Sequence, residues 1–203
     1  IGLKNGHTWH AMEKAIIHGI SISLGAVLIL LAVGSLIGTW LLSGTVPTMV
    51  YYGLKIIDPS WFYAATCLVC GVVAMSIGSS WTTAATVGVA FIGIAGGFEL
   101  STSVTAGAVI SGAYFGDKLS PLSETTNLAP AVAGSELFEH IRYMLWTTIP
   151  SITIALILFL IIGFNHSSSE IGNTDSIVSL TNTLENTYNI SALNLIPLFI
   201  LLA

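Results

Sequence analysis

The sequence predicts an all-α integral membrane protein with several spans. Hydrophobic residues make up 54% of its 203 residues, whereas Asp, Glu, Lys and Arg together make up 7%. Soluble domains carry roughly 25% charged residues, so this chain cannot cover a water-exposed surface. Long apolar runs interrupted by Gly, Ser and Thr indicate helices in a lipid bilayer instead. The formal net charge of −5 argues against nucleic acid as a partner.

Polar interruptions divide this single predicted membrane domain, residues 1–203, into seven segments. In order they are an interfacial segment (1–14), one or two bent spans (15–57), a hairpin (61–97), a broken helix (103–131), a span (143–164), a polar loop (165–189) and the start of a further span (190–203). Bends in the second segment are predicted at 34–35 and 43–47, where Gly, Ser and Pro occur. Since the last segment is too short to cross ~30 Å of hydrocarbon, we expect a fragment of a longer protein.

The hairpin segment contains two apolar stretches on either side of a polar sequence, Gly78 to Thr83. Each stretch is at or below the ~17 residues that a span requires. We therefore favour a re-entrant hairpin over two thin spans, with the polar tip buried in protein or lining a cavity. The tip hydroxyls either complete a cation site or bond back to their own helix carbonyls. These residues are Ser79, Ser80, Thr82 and Thr83.

The broken-helix segment places Asp117, Lys118 and Glu124 within eight residues, between apolar sequences. Each charge at the bilayer centre costs roughly 2.5–3.5 kcal/mol, so these side chains must face a polar cavity or each other. Pro121 cannot continue the helical hydrogen bonds, which predicts a break at membrane depth. The alternative is a polar loop outside the membrane. The neutral polar residues of the predicted site are Ser120, Ser123, Thr125, Thr126 and Asn127.

A helix broken at the midplane is typical of transporters that bind ions between half-helix ends. Carboxylate, hydroxyl and carbonyl oxygens are the ligands that a hard cation prefers. We therefore predict a Na⁺ site at Asp117 and Glu124. Lys118 is predicted to pair with one of these carboxylates, although it is also the only cationic side chain near the site that an anion could use.

Several other patterns favour helix packing or exclude enzymes. Cys67 and Cys70 lie in an apolar run without further metal ligands, which indicates two buried side chains. GxxxG spacings at 34/38, 93/97 and 112/116 predict close helix contacts. No histidine occurs in the hairpin or broken-helix segments, so an intramembrane serine protease lacks an obvious base, and an intramembrane aspartyl protease would require Gly in place of Tyr114. An ion channel lined by hydroxyls and carboxylates is the remaining alternative function.

The run Gly116 to Pro130, GDKLSPLSETTNLAP, resembles the signature of the NhaC family of Na⁺/H⁺ antiporters. Three shorter runs are similar to other segments of that family: GTWLLSGTVPT (38–48), GSSWTT (78–83) and HIRYMLWTTIP (140–150). The resemblance covers about residues 25–165 in collinear order. The family usually has Asp at the position of Glu124 and often Thr at the position of Ser79.

The resemblance implies a multi-pass protein of the bacterial inner membrane that exchanges Na⁺ for H⁺, without a cofactor beyond these transported ions. It also implies a fold of inverted repeats, each with a re-entrant hairpin and a broken helix, of which this chain holds one. Some relatives couple Na⁺ and H⁺ to exchange of malate and lactate, so organic-acid antiport is the alternative function. The implied partners are the lipid bilayer, Na⁺, protons and, in that alternative, small organic acids; the oligomeric state is left open.

Overall fold

In a computed structural model, the described residues (2–6, 8–167 and 174–202) are helical and contain no strand. The helices are α1 Trp9–Leu42, α2 Thr45–Ile56, α3 Phe62–Ile77, α4 Ser80–Gly97, α5 Thr102–Leu119, α6 Glu124–Ala133, α7 Leu137–Ser167, α8 Thr174–Thr187 and α9 Ile196–Leu202. In this part of the chain, three helices are long and apolar enough to cross a membrane: Pro59–Ile77, Ser80–Gly97 and Leu137–Asn165. The predicted all-α, multi-pass membrane character is therefore confirmed.

The first of two compact units, Ile1–Leu36, contains a 3-10 turn at Leu3–Asn5 and most of α1. Because α1 begins at Trp9, no helix boundary separates the predicted interfacial segment 1–14 from the span. The bend predicted at 34–35 is wrong, since α1 continues through it. The Ser35 hydroxyl donates to the Leu31 carbonyl at 3.0 Å, so this polar side chain joins the helix rather than interrupting it.

The second predicted bend, at 43–47, is the break between α1 and α2 in the second unit, Ile37–Ala203. Gly44 has a φ of 81°, a left-handed conformation that glycine adopts without steric cost. The Ser43 and Thr45 hydroxyls lie 2.9 Å apart across the break, and Thr45 is fully buried. Residues 15–57 therefore belong to two helices, because the chain departs from helical geometry at Ser43 and Gly44 but not at 34–35.

The centre of the second unit is the contact between α3 and α5. A Cβ atom at Gly112 would lie 2.0 Å from the Cys67 carbonyl oxygen, and one at Gly116 would lie 2.1 Å from the Gly71 carbonyl oxygen. The two backbones thus touch along this GxxxG pair, as its spacing predicts. Cys67 and Cys70 are buried free thiols in the same core.

A second GxxxG pair brings α4 against α2. A Cβ atom at Gly93 would lie 2.9 Å from Val50 Cγ2, and one at Gly97 would lie 2.6 Å from Leu54 Cδ2. By contrast, a Cβ atom at Gly38 would meet no atom within 4 Å. The motif therefore marks close packing at its 93/97 and 112/116 occurrences.

The predicted hairpin, 61–97, consists of α3 and α4 joined at Gly78 and Ser79. The Phe62 ring at the start of α3 contacts Phe91 in the second half of α4 and Phe98 just after it, with ring centroids 5.9 and 5.8 Å apart. The two arms therefore run back toward one another. Asp58 caps the 3-10 turn before α3 by accepting from the Ser60 hydroxyl and amide, which lowers the pKa of the Asp58 carboxyl.

The span predicted at 143–164 extends further on both sides, as α7, Leu137–Ser167. Arg142 does not end this helix, since Arg has a high helix propensity. Several of its apolar side chains are about half exposed, as lipid-facing residues are: Ile154, Ile157, Leu158 and Ile161.

The polar loop predicted at 165–189 is wrong, because α7 continues to Ser167 and Thr174–Thr187 forms α8; residues 168–173 lie outside the described part. Ile177, Thr181, Leu184 and Tyr188 recur at helical spacing and are its less exposed positions. The helix α8 packs against α2 and α4, and this packing stabilises a helix that polar composition alone does not predict. Residues 190–203 contain a 3-10 turn, Ala192–Leu195, and then α9.

Candidate functional site

Two irregular segments meet in the second unit: the hairpin tip, Gly78 to Thr83, and the helix break, Ser120 to Ser123, between α5 and α6. Gly78 has a φ of 75°, and a Cβ atom there would lie 2.7 Å from the Leu122 carbonyl carbon. The tip backbone therefore rests directly on the break backbone. Glycine is required at this position by both its conformation and its contact.

Asp117 lies in the last turn of α5, just before the break, and is half-buried. Its Oδ2 accepts a hydrogen bond from the Ser80 hydroxyl at 3.0 Å, and Ser80 is buried at the tip. A carboxylate near a helix C-terminus faces the negative end of the helix dipole. A hydroxyl donor or a bound cation stabilises the charge at such a position.

Two polar side chains of α6 form hydrogen bonds with backbone carbonyls at and before the break. Thr126 Oγ1 lies 3.2 Å from the carbonyl oxygens of Asp117 and Lys118, both in the last turn of α5. The side-chain amide nitrogen of Asn127, Nδ2, donates to the Pro121 and Ser123 carbonyls, each at 2.7 Å. These contacts satisfy backbone groups that a broken helix leaves without intrahelical partners.

Two serines flank the break and cap the helices on either side. Ser123 caps the N-terminus of α6 by accepting from the Thr126 amide, and its hydroxyl lies 3.0 Å from that of Thr125. Ser120 is fully buried and its hydroxyl accepts from the Leu122 amide at 3.2 Å. In the described chain, no buried side-chain nitrogen or oxygen lacks a hydrogen-bond partner.

The other tip hydroxyls bond within the tip. Ser79 caps α4 and accepts from the Thr82 amide and hydroxyl, at 3.2 and 3.0 Å. The Thr83 hydroxyl donates to the Ser79 carbonyl at 2.9 Å. Ser80 is thus the tip residue that turns toward the carboxylate, whereas its neighbours stabilise the start of α4.

Sequence reasoning missed a π-helical turn, Ala84–Gly88, immediately after the tip. π-Turns within α-helices occur frequently at functional sites. The Thr86 hydroxyl, fully buried in this turn, donates to the Thr82 carbonyl at 2.6 Å. No residue pattern in AATVG signals this geometry.

Glu124 and Lys118 are exposed, and the structure does not join them to Asp117. Within the described residues, Lys118 lies within 4 Å of neither carboxylate, since the ion pairs found there are His10–Glu13 and Lys55–Glu185. Glu124 occupies the first turn of α6, where the helix dipole stabilises a negative charge. The same part of the chain contains no cluster of three His, Cys, Asp or Glu residues, so a cation here would need hydroxyl and carbonyl ligands.

Comparison with known proteins agrees with the family resemblance of the motif at the helix break. A model described as the Na⁺/H⁺ antiporter family matches residues 112–203, which include Asp117 and the whole break. The Na⁺/H⁺ antiporter NhaC of Alkalihalophilus pseudofirmus is 45% identical over 195 residues, covering 96% of this chain and 42% of its own length. The chain is similar to antiporters named NhaC over nearly its whole length. The resemblance to NhaC that the motif indicated is confirmed.

Other similar proteins are named for different substrates. The malate-2H⁺/Na⁺-lactate antiporter of Bacillus subtilis is 44% identical over 197 residues, covering 97% of this chain and 42% of its own length. The arginine/ornithine antiporter ArcD of Halobacterium salinarum is 40% identical over 196 residues, covering 96% and 40%. The chain thus spans about two fifths of the length of these relatives. No solved structure matches it significantly.

Proposed function

We propose that this protein is a secondary active transporter that exchanges Na⁺ for H⁺ across the membrane. The contact that carries the proposal is the hydrogen bond of 3.0 Å between Ser80 at the hairpin tip and Asp117 at the helix break. It places a half-buried carboxylate where irregular backbone from two segments converges. The match of residues 112–203 to the Na⁺/H⁺ antiporter family model and the relatives named NhaC support the same activity.

Na⁺/H⁺ exchange requires one group that can bind either Na⁺ or a proton. A carboxylate binds Na⁺ when ionised and excludes it when protonated, so competition at Asp117 couples the two movements. The Ser80 hydroxyl oxygen is within reach as a neutral ligand for the same Na⁺. Glu124 would contribute a second carboxylate if α6 moves toward Asp117 during the cycle, since it begins the helix beyond the break.

The proposal includes an architecture in the membrane. The α3–α4 hairpin would be re-entrant, with its tip and the break at membrane depth, as in transporters with discontinuous helices. The chain would supply one of two inverted repeats, because the relatives are more than twice as long as the aligned region. A bacterial inner membrane is the location we propose.

Na⁺-driven proton flux in proteoliposomes that hold the complete transporter tests the function. An inward Na⁺ gradient should drive protons out and alkalinise the lumen whichever way the protein is oriented, and a K⁺ gradient of equal size serves as the control. A pH change that is the same with Na⁺, with K⁺ and with protein-free liposomes would contradict Na⁺/H⁺ exchange. Conductance far above transporter turnover would indicate a channel instead.

Organic-acid exchange is the second candidate, favoured by the position of Lys118. This ammonium is exposed beside the break and is paired with neither Asp117 nor Glu124, so an anionic substrate could engage it. The malate-2H⁺/Na⁺-lactate relative supports this candidate. Adding malate on one side and lactate on the other should accelerate Na⁺-driven proton flux if it holds. An unchanged proton flux would instead favour Na⁺/H⁺ exchange without an organic acid.

A further inference from the structure

An apolar cavity of about 110 Å³ lies between α3, α5 and α7. It is partly enclosed, and almost all of the surface that it exposes is apolar. None of its lining residues belongs to the proposed Na⁺ site. We call it the α7 cavity; its walls include Leu68, Gly71 and Val72 of α3, Phe115 of α5, and Ile152 and Leu156 of α7.

The α7 cavity is formed by the way α7 and α5 pack on α3. A Cβ atom at Gly163 of α7 would lie 2.3 Å from the Ser60 carbonyl oxygen, so α7 touches the chain just before α3. Earlier in α7, Leu156 lines the cavity together with Gly71, which lies later in α3, so the two helices are antiparallel. A Cβ atom at Gly71 would lie 3.2 Å from Phe115 Cδ1, so the Phe115 ring packs on bare α3 backbone.

The cavity lies at the depth of the hydrocarbon core. Two of the helices long and apolar enough to cross a membrane, Pro59–Ile77 and Leu137–Asn165, contribute to its walls. At ~1.5 Å per residue, Gly71 lies about 16 Å along the first of them from Ser60, close to half of the ~30 Å hydrocarbon thickness. Ile152 is likewise near the middle of the second. Lipid hydrocarbon is therefore the medium beside the cavity.

The size and the walls of the cavity select a hydrocarbon chain. Its volume is below the roughly 300–1,000 Å³ of small-molecule sites. It is closer to the roughly 150 Å³ of an apolar cavity that stays dry and binds benzene, since such walls offer water no hydrogen-bond partners. Leu68 and Val72 line the cavity and are 53% and 66% exposed, so a chain from the surrounding lipid can enter past them.

We propose that the α7 cavity binds the terminal part of one acyl chain of a membrane phospholipid. The chain packs on Phe115, Leu156 and the bare backbone at Gly71, and van der Waals contact holds it there, as it holds helices together in lipid. Phe115 and Asp117 are two residues apart in α5 and therefore point to nearly opposite sides of that helix. The lipid chain thus supports the hairpin arm α3 without competing with Na⁺ at Asp117.

Photolabelling of the complete transporter in liposomes tests the proposal. The liposomes would contain phosphatidylcholine with a diazirine near the end of one acyl chain, and adducts would be located by peptide mass spectrometry. We expect Leu68 and Val72 to be labelled more strongly than Ile154 and Ile157, which are exposed on α7 outside the cavity. A diazirine beside the glycerol should lose this preference, because it lies at the membrane surface and not at the midplane.

Substitutions at Leu156 change the volume of the cavity in opposite directions. Leu156→Trp fills it and should lower the labelling of Leu68 and Val72 about threefold or more, because the indole takes the van der Waals contacts of the chain. Leu156→Ala enlarges it and should raise this labelling, which keeps the test decisive even if the tryptophan variant does not fold. Ile157→Trp, at the exposed neighbour, is the matched control and should leave the labelling unchanged.

Three results would overturn the proposal. The first is equal labelling of Leu68 and Val72 in Leu156→Trp and Ile157→Trp, and the second is weaker labelling in Leu156→Ala. The third is the absence of preferential labelling in the wild-type transporter, which would show that a segment of the longer protein, rather than lipid, covers the cavity. Since labelling is measured without Na⁺ or proton gradients, its outcome is independent of the proposed exchange.

Discussion

The Ser80 hydroxyl lies 3.0 Å from Oδ2 of Asp117, a residue 37 positions later in the chain. This bond joins the hairpin tip to the end of α5, and the contact of Gly78 with Leu122 joins the tip to the break itself. Two segments that each interrupt a helix therefore form one site. A hydrogen bond to a charged group contributes roughly 1.5–3 kcal/mol, enough to orient the carboxylate.

Asp117→Asn should abolish Na⁺/H⁺ exchange while leaving the protein folded. The amide keeps the shape of the carboxylate and can still bond to Ser80, but it neither carries a negative charge nor takes up a proton. Exchange would be measured in proteoliposomes across a range of pH, with unfolding in detergent as the check on folding and Glu139→Gln as the matched loss of an acid. Exchange equal to that of the wild type at every pH would remove Asp117 from the mechanism.

Ser80→Ala should weaken the apparent Na⁺ affinity about tenfold, with a smaller effect on the maximal rate. The change removes a hydroxyl that orients Asp117 and can itself bind the cation, a loss of about 1.5 kcal/mol or more. Ser80→Thr keeps the hydroxyl and should restore most of the affinity. Thr83→Ser is the control, since the Thr83 hydroxyl bonds to the Ser79 carbonyl rather than to Asp117. An unchanged Na⁺ dependence in Ser80→Ala would show that the contact is only structural.

Glu124 should respond differently to shortening and to neutralisation. Glu124→Asp keeps the charge at the N-terminus of α6 and should retain partial exchange, whereas Glu124→Gln should lose most of it. Because Glu124 is exposed, neither variant should lower the thermal stability by more than about 1 kcal/mol. Na⁺-driven proton flux measures the effect, and full activity of Glu124→Gln would leave Asp117 as the single coupling carboxylate.

The helix break could be predicted from sequence because its cause is local. Pro121 removes a backbone donor and restricts Ser120, so the break follows from residues beside it in the chain. The polar tip was recognised for a similar reason, since Gly78 and four hydroxyl residues interrupt an apolar run. Such signals need no knowledge of what packs against the segment.

Features set by distant contacts were missed. The helix α8 packs against α2 and α4, with Ile177 against the hydrophobic core, and its polar composition does not indicate this packing. The choice of Ser80, rather than a neighbouring hydroxyl, as the partner of Asp117 depends on how α4 approaches α5. The predicted ion pair of Lys118 is absent from the described residues for the same reason. Proximity in sequence does not determine the direction of side chains beside a helix break.

Gly116→Ala should destabilise the protein by roughly 1–3 kcal/mol, as overpacking does. The added Cβ would lie 2.1 Å from the Gly71 carbonyl oxygen and 2.7 Å from the Met75 amide nitrogen, so α3 and α5 must separate. Gly107→Ala in the same helix meets nothing within 4 Å and should be neutral or stabilising. Thermal unfolding in detergent compares the two, and equal stability would refute the close contact of these helices.

Gly78→Ala and Gly134→Ala separate backbone strain from contact at the hairpin tip. Both glycines have left-handed backbone, with φ of 75° and 69°, so each substitution costs roughly 1–2 kcal/mol of local strain. At Gly134 a Cβ atom meets nothing within 4 Å, whereas at Gly78 it would lie 2.7–2.9 Å from three atoms of Leu122. We therefore expect Gly78→Ala to push the tip away from the break as well.

Displacement of the tip should appear in transport more than in stability. Moving the Gly78 backbone away from Leu122 lengthens the bond between Ser80 and Asp117, so Gly78→Ala should raise the Na⁺ concentration for half-maximal exchange. Gly134→Ala carries the same strain beyond the end of α6 and should retain the wild-type Na⁺ dependence. Proton flux at graded Na⁺ concentrations, normalised to folded protein, makes the comparison. If both variants lose exchange equally, strain alone accounts for the loss and the tip–break contact has no separate role in Na⁺ binding.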